Sequence, residues 1–357
     1  MTTINSPWSR LQPAWLSRAH GLIGVDVGSC GLKLAQLHQT SAGWRFQSRC
    51  QIRYEDGNRL TRDSLLRNGM TPQLSQLKQA SQLFVGRQAA CTLPTSLLAL
   101  RSFELPQGPC DETRLMVEQE LAEDSEVNTA GHEFAAWVSV PGNKADRVIA
   151  VSADHDVSLK LAKELLKARL RTTVLDVTPC ALARAASLVD SANDEPAAML
   201  DLGFATSLFT VVRGGQPLFC RTFRDCGLQA LLHSIEQRLS LSTAESDQLL
   251  SRYGFSFSIA ACAAKSIALA CEGVLNALAD EILRTLQFFQ SQSPLTPQKL
   301  WVTGYTGTIP NFTNILEESL RLPTIAWQLP GSGDPTDAHY ATAAGLSAIA
   351  WESQPCM

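Results

Sequence analysis

No Cys-x-x-Cys pair and no His-Glu-x-x-His string occurs in this chain of 357 residues, although it holds ten cysteines and six histidines. The closest cysteines are Cys220 and Cys226. The spacing therefore excludes the usual structural-zinc and zinc-protease patterns. Settings such as Ala261-Cys262-Ala263 and Ala270-Cys271 predict buried, reduced thiols of a cytosolic protein instead. An excess of positive charge is missing too: 30 Lys and Arg stand against 34 Asp and Glu, for a net charge of −4 and a pI near 5.9. Without a strongly basic face to release counterions, wholesale nucleic-acid binding is excluded, though a local basic patch is not. The first twenty residues lack a continuous apolar core of the secretory-signal kind. No uncharged apolar run reaches the roughly 20 residues that span a bilayer. The most apolar helix candidate is interrupted by Lys265 and Glu272. The expectation is a chain soluble by itself.

What the chain does have is an ordinary globular composition, 45% hydrophobic and 18% charged, long enough for two or three domains and a sizeable core. One turn occurs twice. Gly24-Val25-Asp26-Val27-Gly28-Ser29-Cys30-Gly31 is the first copy, and Leu200-Asp201-Leu202-Gly203-Phe204-Ala205-Thr206-Ser207 the second. In each, an apolar run ends in Asp-x-Gly, small residues follow, and a second apolar run begins, which reads as strand, tight turn and returning strand. An Asp at a strand end can hold a cation through water, and small residues beside it leave backbone N–H groups to face phosphate oxygens. Two copies, each opening one half of the chain, predict two similar lobes closing on one nucleotide.

Residues 1–20 carry Pro7, Pro13, two Arg and no acidic residue. Trp8, Leu11 and Trp15 could line a short membrane-touching helix, but Pro13 interrupts it, and a disordered tail is expected. Strands are predicted over Leu22–Val27, Leu32–His38, Arg45–Tyr54, Leu83–Leu93, Leu97–Leu105, Glu133–Val140, Arg147–Ser152 and Thr173–Val177, with helix within Leu60–Leu83. Asp111 is placed as the cap of a helix to about Glu123, and Asp156 ahead of a helix with Val157, Leu161 and Leu165 on one face. Cys180–Val189 reads as a helix. The second half continues with the meander Ala197–Leu202, Ser207–Val212 and Gln216–Phe223, turned at Gly214-Gly215. Leu228, Leu231, Leu232, Ile235 and Leu239 then form a helical stripe, and Ser242 with Glu245 a capping box. A long helix covers Ile259–Gln290, with a short strand at Leu300–Gly304, a helix start at Pro310 and an alanine-rich helix at Ala338–Trp351.

This order resembles the actin-like ATPase superfamily, and local strings narrow it. Ile23-Gly24-Val25-Asp26-Val27-Gly28-Ser29 with Lys33-Leu34 is similar to the opening of the PilM family of type IV pilus assembly proteins. Val174-Leu175-Asp176-Val177 followed by Ala181-Leu182-Ala183-Arg184-Ala185 resembles that family's inter-lobe segment. Leu278-Ala279-Asp280-Glu281-Ile282-Leu283-Arg284-Thr285-Leu286-Gln287-Phe288-Phe289, in the right order after the second hairpin, resembles a helix typical of it and is the most specific string. The resemblance covers about Leu22 to Ala350. It implies an α/β, two-lobed actin-like ATPase fold with an FtsA-like 1C subdomain. Residues 1–20 would be a tail, and 21–190 lobe one, with subdomain 1A and a 1C module at about 94–176. Residues 191–350 would be lobe two, subdomains 2A and 2B, and 351–357 a second tail. It further implies ATP with Mg²⁺ as ligands, and a cytoplasmic place at the inner membrane held through a partner. That partner would be the cytoplasmic N-terminal tail of a PilN-like inner-membrane protein, with pilus motor components and self-association as further contacts and no nucleic acid.

On that resemblance Asp26, Gly28 and Ser29 form the first phosphate loop, with Lys33 on the returning strand, and Asp201, Gly203 and Thr206 form the second. Asp26 and Asp201 would face Mg²⁺ through its water. Gly227 would let the following helix N-terminus approach the nucleotide, or serve as a turn glycine. Gly304 marks the adenosine-side turn. There the family usually has Gly-Gly, and here Tyr305 either stacks on a base or fills its space. Thr178-Pro179 stands where the family commonly carries a carboxylate, so binding of ATP with slow or absent hydrolysis is expected. The alternatives are a small-molecule kinase of the superfamily, a filament-forming actin-like protein, and the equivalent component of a type II secretion system.

Overall fold

The computed structural model describes residues 19–352 other than 42, 55–59, 124–130, 141–144, 191–194 and 257–261. The expected tails, with Trp8, Leu11 and Trp15, lie outside these apart from residues at their inner edges. Two compact units emerge: residues to Arg184 together with those from Ala343, and Ala185–Thr342.

The first unit opens with β1 (Ile23–Val27), β2 (Gly31–Thr40) and β3 (Gly43–Arg53), an antiparallel meander. Helices α1 (Arg62–Asn68) and α2 (Leu74–Ala80) follow, then β4 (Gln88–Thr92). A small module comes next, built from β5 (Leu98–Pro106), α3 (Cys110–Glu123), β6 (His132–Val140) and β7 (Ala145–Asp154). Its sheet order is β5-β7-β6, and Val117 and Leu121 of α3 close a core with Leu105, Val148 and Ala150. The chain then returns through α4 (His155–Lys167) to β8 (Arg171–Asp176), and α5 (Thr178–Val189) leads out. The main sheet runs β3-β2-β1-β4-β8, with β4 and β8 parallel to β1. Val157, Leu161 and Leu165 of α4 bury in the core beneath this sheet with Val25, Leu32, Leu34 and Leu65. The three-stranded module covers Leu98–Asp154, and α4 and β8 belong to the layer of the five-stranded sheet.

The second unit repeats the theme. Strands β9 (Ala197–Leu202), β10 (Thr206–Arg213) and β11 (Gln216–Arg224) form the meander. Helices α6 (Leu228–Leu239), α7 (Thr243–Tyr253) and α8 (Cys262–Gln292) precede β12 (Leu300–Gly304), α9 (Phe312–Leu320) and β13 (Thr324–Ala326). The sheet order, β11-β10-β9-β12-β13, matches the first unit position for position, again with the last two strands parallel to the first. Helix α8 is long and apolar enough to cross a membrane by length and composition. Its Ile267, Cys271, Leu278, Ile282 and Phe289 are buried, and it packs on α6, α7 and α9 as a core helix of this unit.

The expected alanine-rich terminal helix is shorter, α10 (Ala341–Ala348) between two 3-10 turns. From Ala343 it packs with the first unit, not the second. Small residues make this approach possible: a Cβ on Gly24 would lie 1.9 Å from the Ala343 carbonyl oxygen, and one on Gly345 1.8 Å from that of Ala181. Asp154 caps α4, accepting from the N–H groups of Asp156 and Val157, so the helix starts at His155, one residue before Asp156. One cap differs from expectation. Asp111 lies inside the first turn of α3. The capping box of Ser242 and Glu245 is present as read from the sequence.

Candidate functional site

In the first unit, Asp26 is the penultimate residue of β1 and sits directly across from Lys33 on β2. An antiparallel pair places both side chains on one face, and Lys33 Nζ lies 3.4 Å from Asp26 Oδ2 with both groups nearly buried. The hydroxyl of Thr92, last residue of β4, donates to Asp26 Oδ1 at 3.4 Å and accepts from the Val27 N–H at 3.3 Å. The turn is closed by Gly28 N–H to the Gly31 carbonyl at 2.9 Å. Ser29 contributes its carbonyl to Leu60 N–H at 3.1 Å. Tyr54, whose N–H donates to the Cys30 carbonyl, is buried with a hydroxyl that has no hydrogen-bond partner among the described residues. Burial, then the nearby Cys30 and Asp26, pushes its ionisation up.

The second unit builds the same corner with different neighbours. Asp201 faces Thr303 on the parallel strand β12, and Thr303 Oγ1 donates to Asp201 Oδ1 at 3.0 Å. Opposite Asp201 on β10 stands Leu208 where the first unit has Lys33. Gly203 is required by crowding, since a Cβ there would lie 2.5 Å from the Thr206 carbonyl oxygen. Thr206 itself opens β10 opposite Arg224. Gly304, at φ +74°, is more constrained: its Cβ would meet the Leu202 carbonyl at 2.5 Å and Asp201 Oδ1 at 2.6 Å. A Thr on the parallel neighbour thus holds the turn Asp in both units. Sequence reading missed Thr92 and Thr303. Their only signal is an apolar run followed by Thr, Ala90-Cys91-Thr92 and Trp301-Val302-Thr303.

Gly227 behaves as a packing glycine. Its Cβ would lie 2.4 Å from the Phe204 carbonyl oxygen, and the first two amides of α6 are already used, Leu228 N–H by Gly203 and Gln229 N–H by Phe204. The start of α6 therefore braces the turn and does not offer those donors to a ligand. Tyr305, left open between stacking and filling, is 7% exposed. Its ring meets Phe204 and His339 edge-on at 6.5 and 5.1 Å, so within this unit it fills space.

The inter-lobe string gives one further charged cluster in the first unit. Asp176 ends β8 buried, and Arg184 Nη1 reaches its Oδ2 at 2.5 Å while the same guanidinium pairs with Glu352. Burial works against the Arg184 charge, but the two carboxylates hold it firmly protonated. The thiols divide: Cys91, Cys220, Cys226 and Cys271 are buried as expected, but Cys262, at the start of α8, is exposed, as is Cys110. Burial pushes Cys50 up to about 11 and Cys91, Cys220 and Cys271 to about 12, so all four stay protonated and unreactive. Among the described residues no disulfide joins any pair.

The family model of the type IV pilus assembly protein PilM matches residues 24–329. The chain belongs to the PilM family. No curated protein matches it by sequence. Among solved structures, the "PilM-PilN type IV pilus biogenesis complex" is similar at a TM-score of 0.76 and 18% identity, covering 93% of this chain and 99% of that one. The ethanolamine utilization protein EutJ from Carboxydothermus hydrogenoformans is similar at a TM-score of 0.57 and 13% identity, over 92% of this chain and 89% of that one. These likenesses establish the two-lobed actin-like fold that the doubled sheet order already indicates.

Proposed function

We propose that this PilM-family chain is a cytoplasmic actin-like scaffold of type IV pilus biogenesis that docks the cytoplasmic N-terminal tail of a PilN-like inner-membrane protein. The supporting observation is the PilM model match over residues 24–329, together with a fold spanning nearly all of the PilM chain in the PilM–PilN complex. Its place at the inner membrane then comes through the partner. A peptide of that tail, labelled and titrated with the protein, is expected to give a saturable anisotropy rise with a Kd in the micromolar range, about −8 kcal/mol. Absence of saturation up to millimolar protein would sink the docking reading.

The scaffold also takes ATP. The support is the pair of turn carboxylates, each oriented by a threonine hydroxyl and set among crowded glycines. Hard oxygen donors at strand ends fit Mg²⁺, which keeps most of its water. Asp26 and Asp201 would hold that hydrated ion, which supplies charge neutralisation to the phosphates. Gly28, Ser29, Gly203 and Thr206 supply turn backbone, and Lys33 a compact positive charge beside Asp26. Hydrolysis is slow because Thr178, not a carboxylate, follows Val177, and the nearby Asp176 is held by Arg184.

A further inference from the structure

In the first unit, His20 and His38 face each other across an isolated antiparallel bridge. The flanking hydrogen bonds run from Gly21 N–H to Leu37 O at 2.8 Å and from Gln39 N–H to Ala19 O at 3.0 Å. That pattern marks a non-hydrogen-bonded pair, the arrangement that brings side chains closest. The register of β1 on β2, which sets Gly24 opposite Ala35, would put Gly21 opposite His38. A one-residue shift puts His20 there instead, and irregularities of this kind commonly re-aim a side chain. The rings lie 4.8 Å apart between centroids, and the Nδ1 atom of each is buried with no hydrogen-bond partner among the described residues. Leaving two such nitrogens unsatisfied is costly.

We propose that His20 and His38 are a two-imidazole site for a divalent transition-metal ion of the zinc or nickel class. Imidazole nitrogen suits these borderline ions. Two imidazoles bound to one tetrahedral ion at about 2.0–2.1 Å place their ring centres roughly 5 Å apart, close to the spacing seen. Among the described residues no group of three or more His, Cys, Asp or Glu forms a metal cluster, so water completes the coordination. Arg45, opposite His38 on β3, disfavours a bare cation. The expected affinity is therefore modest, a Kd on the order of micromolar. Bound metal clamps the segment before β1 to the end of β2.

The test is calorimetric titration of the full chain, free of any affinity tag and stripped with EDTA, with NiCl₂ at pH 7.5. Nickel is preferred to zinc because Cys110 and Cys262 are exposed thiols. The proposal expects one saturable equivalent, weakened at least tenfold in both His20→Ala and His38→Ala, and slower hydrogen exchange at Gly21 and Gln39 when metal is bound. Melting curves without metal check that both variants fold, and His38→Phe provides a second ring-retaining variant if His38→Ala does not. No saturable binding, binding retained in both variants, or loss in only one of them would overturn the two-ligand site.

Discussion

Single residues decide whether each turn carboxylate stays in place. Gly304 has the sharpest requirement, a left-handed φ of +74° and no room for a Cβ beside Leu202 O and Asp201 Oδ1. Gly304→Ala is expected to cost about 3 kcal/mol, combining strained backbone with a clash, and to displace Asp201. Gly333→Ala is the control: its φ is +65° but nothing lies within 4 Å, so about 1 kcal/mol is expected. Urea denaturation of both variants reads the difference, and equal costs would contradict the crowding argument. Asp26 and Asp201 were legible in the sequence because Asp-x-Gly is a local signal. Thr92 and Thr303 were not, since they reach those carboxylates across 66 and 102 residues of chain. Only the pairing of parallel strands brings them there.

At the scale of elements, buried charges tie helices to strands. The Gly69 turn after α1 leaves room for Glu164 of α4, whose carboxylate accepts from the Met70 N–H at 3.2 Å and from Lys167 at 2.7 Å. Burial alone would raise this acid, but Lys167, the Met70 N–H and Lys160 together hold it below the usual glutamate range. A carboxyl whose folded pKa is depressed adds stability above its unfolded value, about 4.3, and that stability is lost as pH falls through the folded pKa. Unfolding free energy should therefore fall less steeply below about pH 4.3 in Glu164→Gln than in the parent. Matching pH slopes would remove Glu164 from the acid response. The Asp176–Arg184–Glu352 cluster carries a second prediction. Arg184→Met strands a buried carboxylate and should cost about 3–5 kcal/mol. Adding Asp176→Asn should recover part of that loss, because the two sites are coupled. Simple additivity of the two single losses would refute the pairing. Elements with strong local periodicity, such as α6 and β9, were readable from sequence. The cap of α3 slipped because the helix begins at Cys110, one residue before Asp111, and only backbone geometry fixes that start.

Across the whole molecule, one five-stranded order is built twice, and each copy places Asp-x-Gly at the end of its first strand with a threonine on the parallel neighbour. The copies are not equivalent. Lys33 stands against Asp26, whereas Leu208 stands against Asp201, so the cross-strand neighbour is a cation in the first unit and an aliphatic side chain in the second. Loss of Asp201 should therefore weaken Mg·ATP binding more than loss of Asp26, because Asp26→Ala also removes the carboxylate paired with Lys33, a cation suited to phosphate. Calorimetric titration should show saturable binding by the parent, a weaker fit for Asp26→Ala, a still weaker one for Asp201→Ala, and none for the double variant. Turnover in the same preparations should stay below about 1 s⁻¹, low for an enzyme. A parent that binds no nucleotide would leave the doubled turn as fold architecture alone, with peptide docking as the function to test. Faster turnover would mean that a group other than Thr178 or Asp176 holds the attacking water.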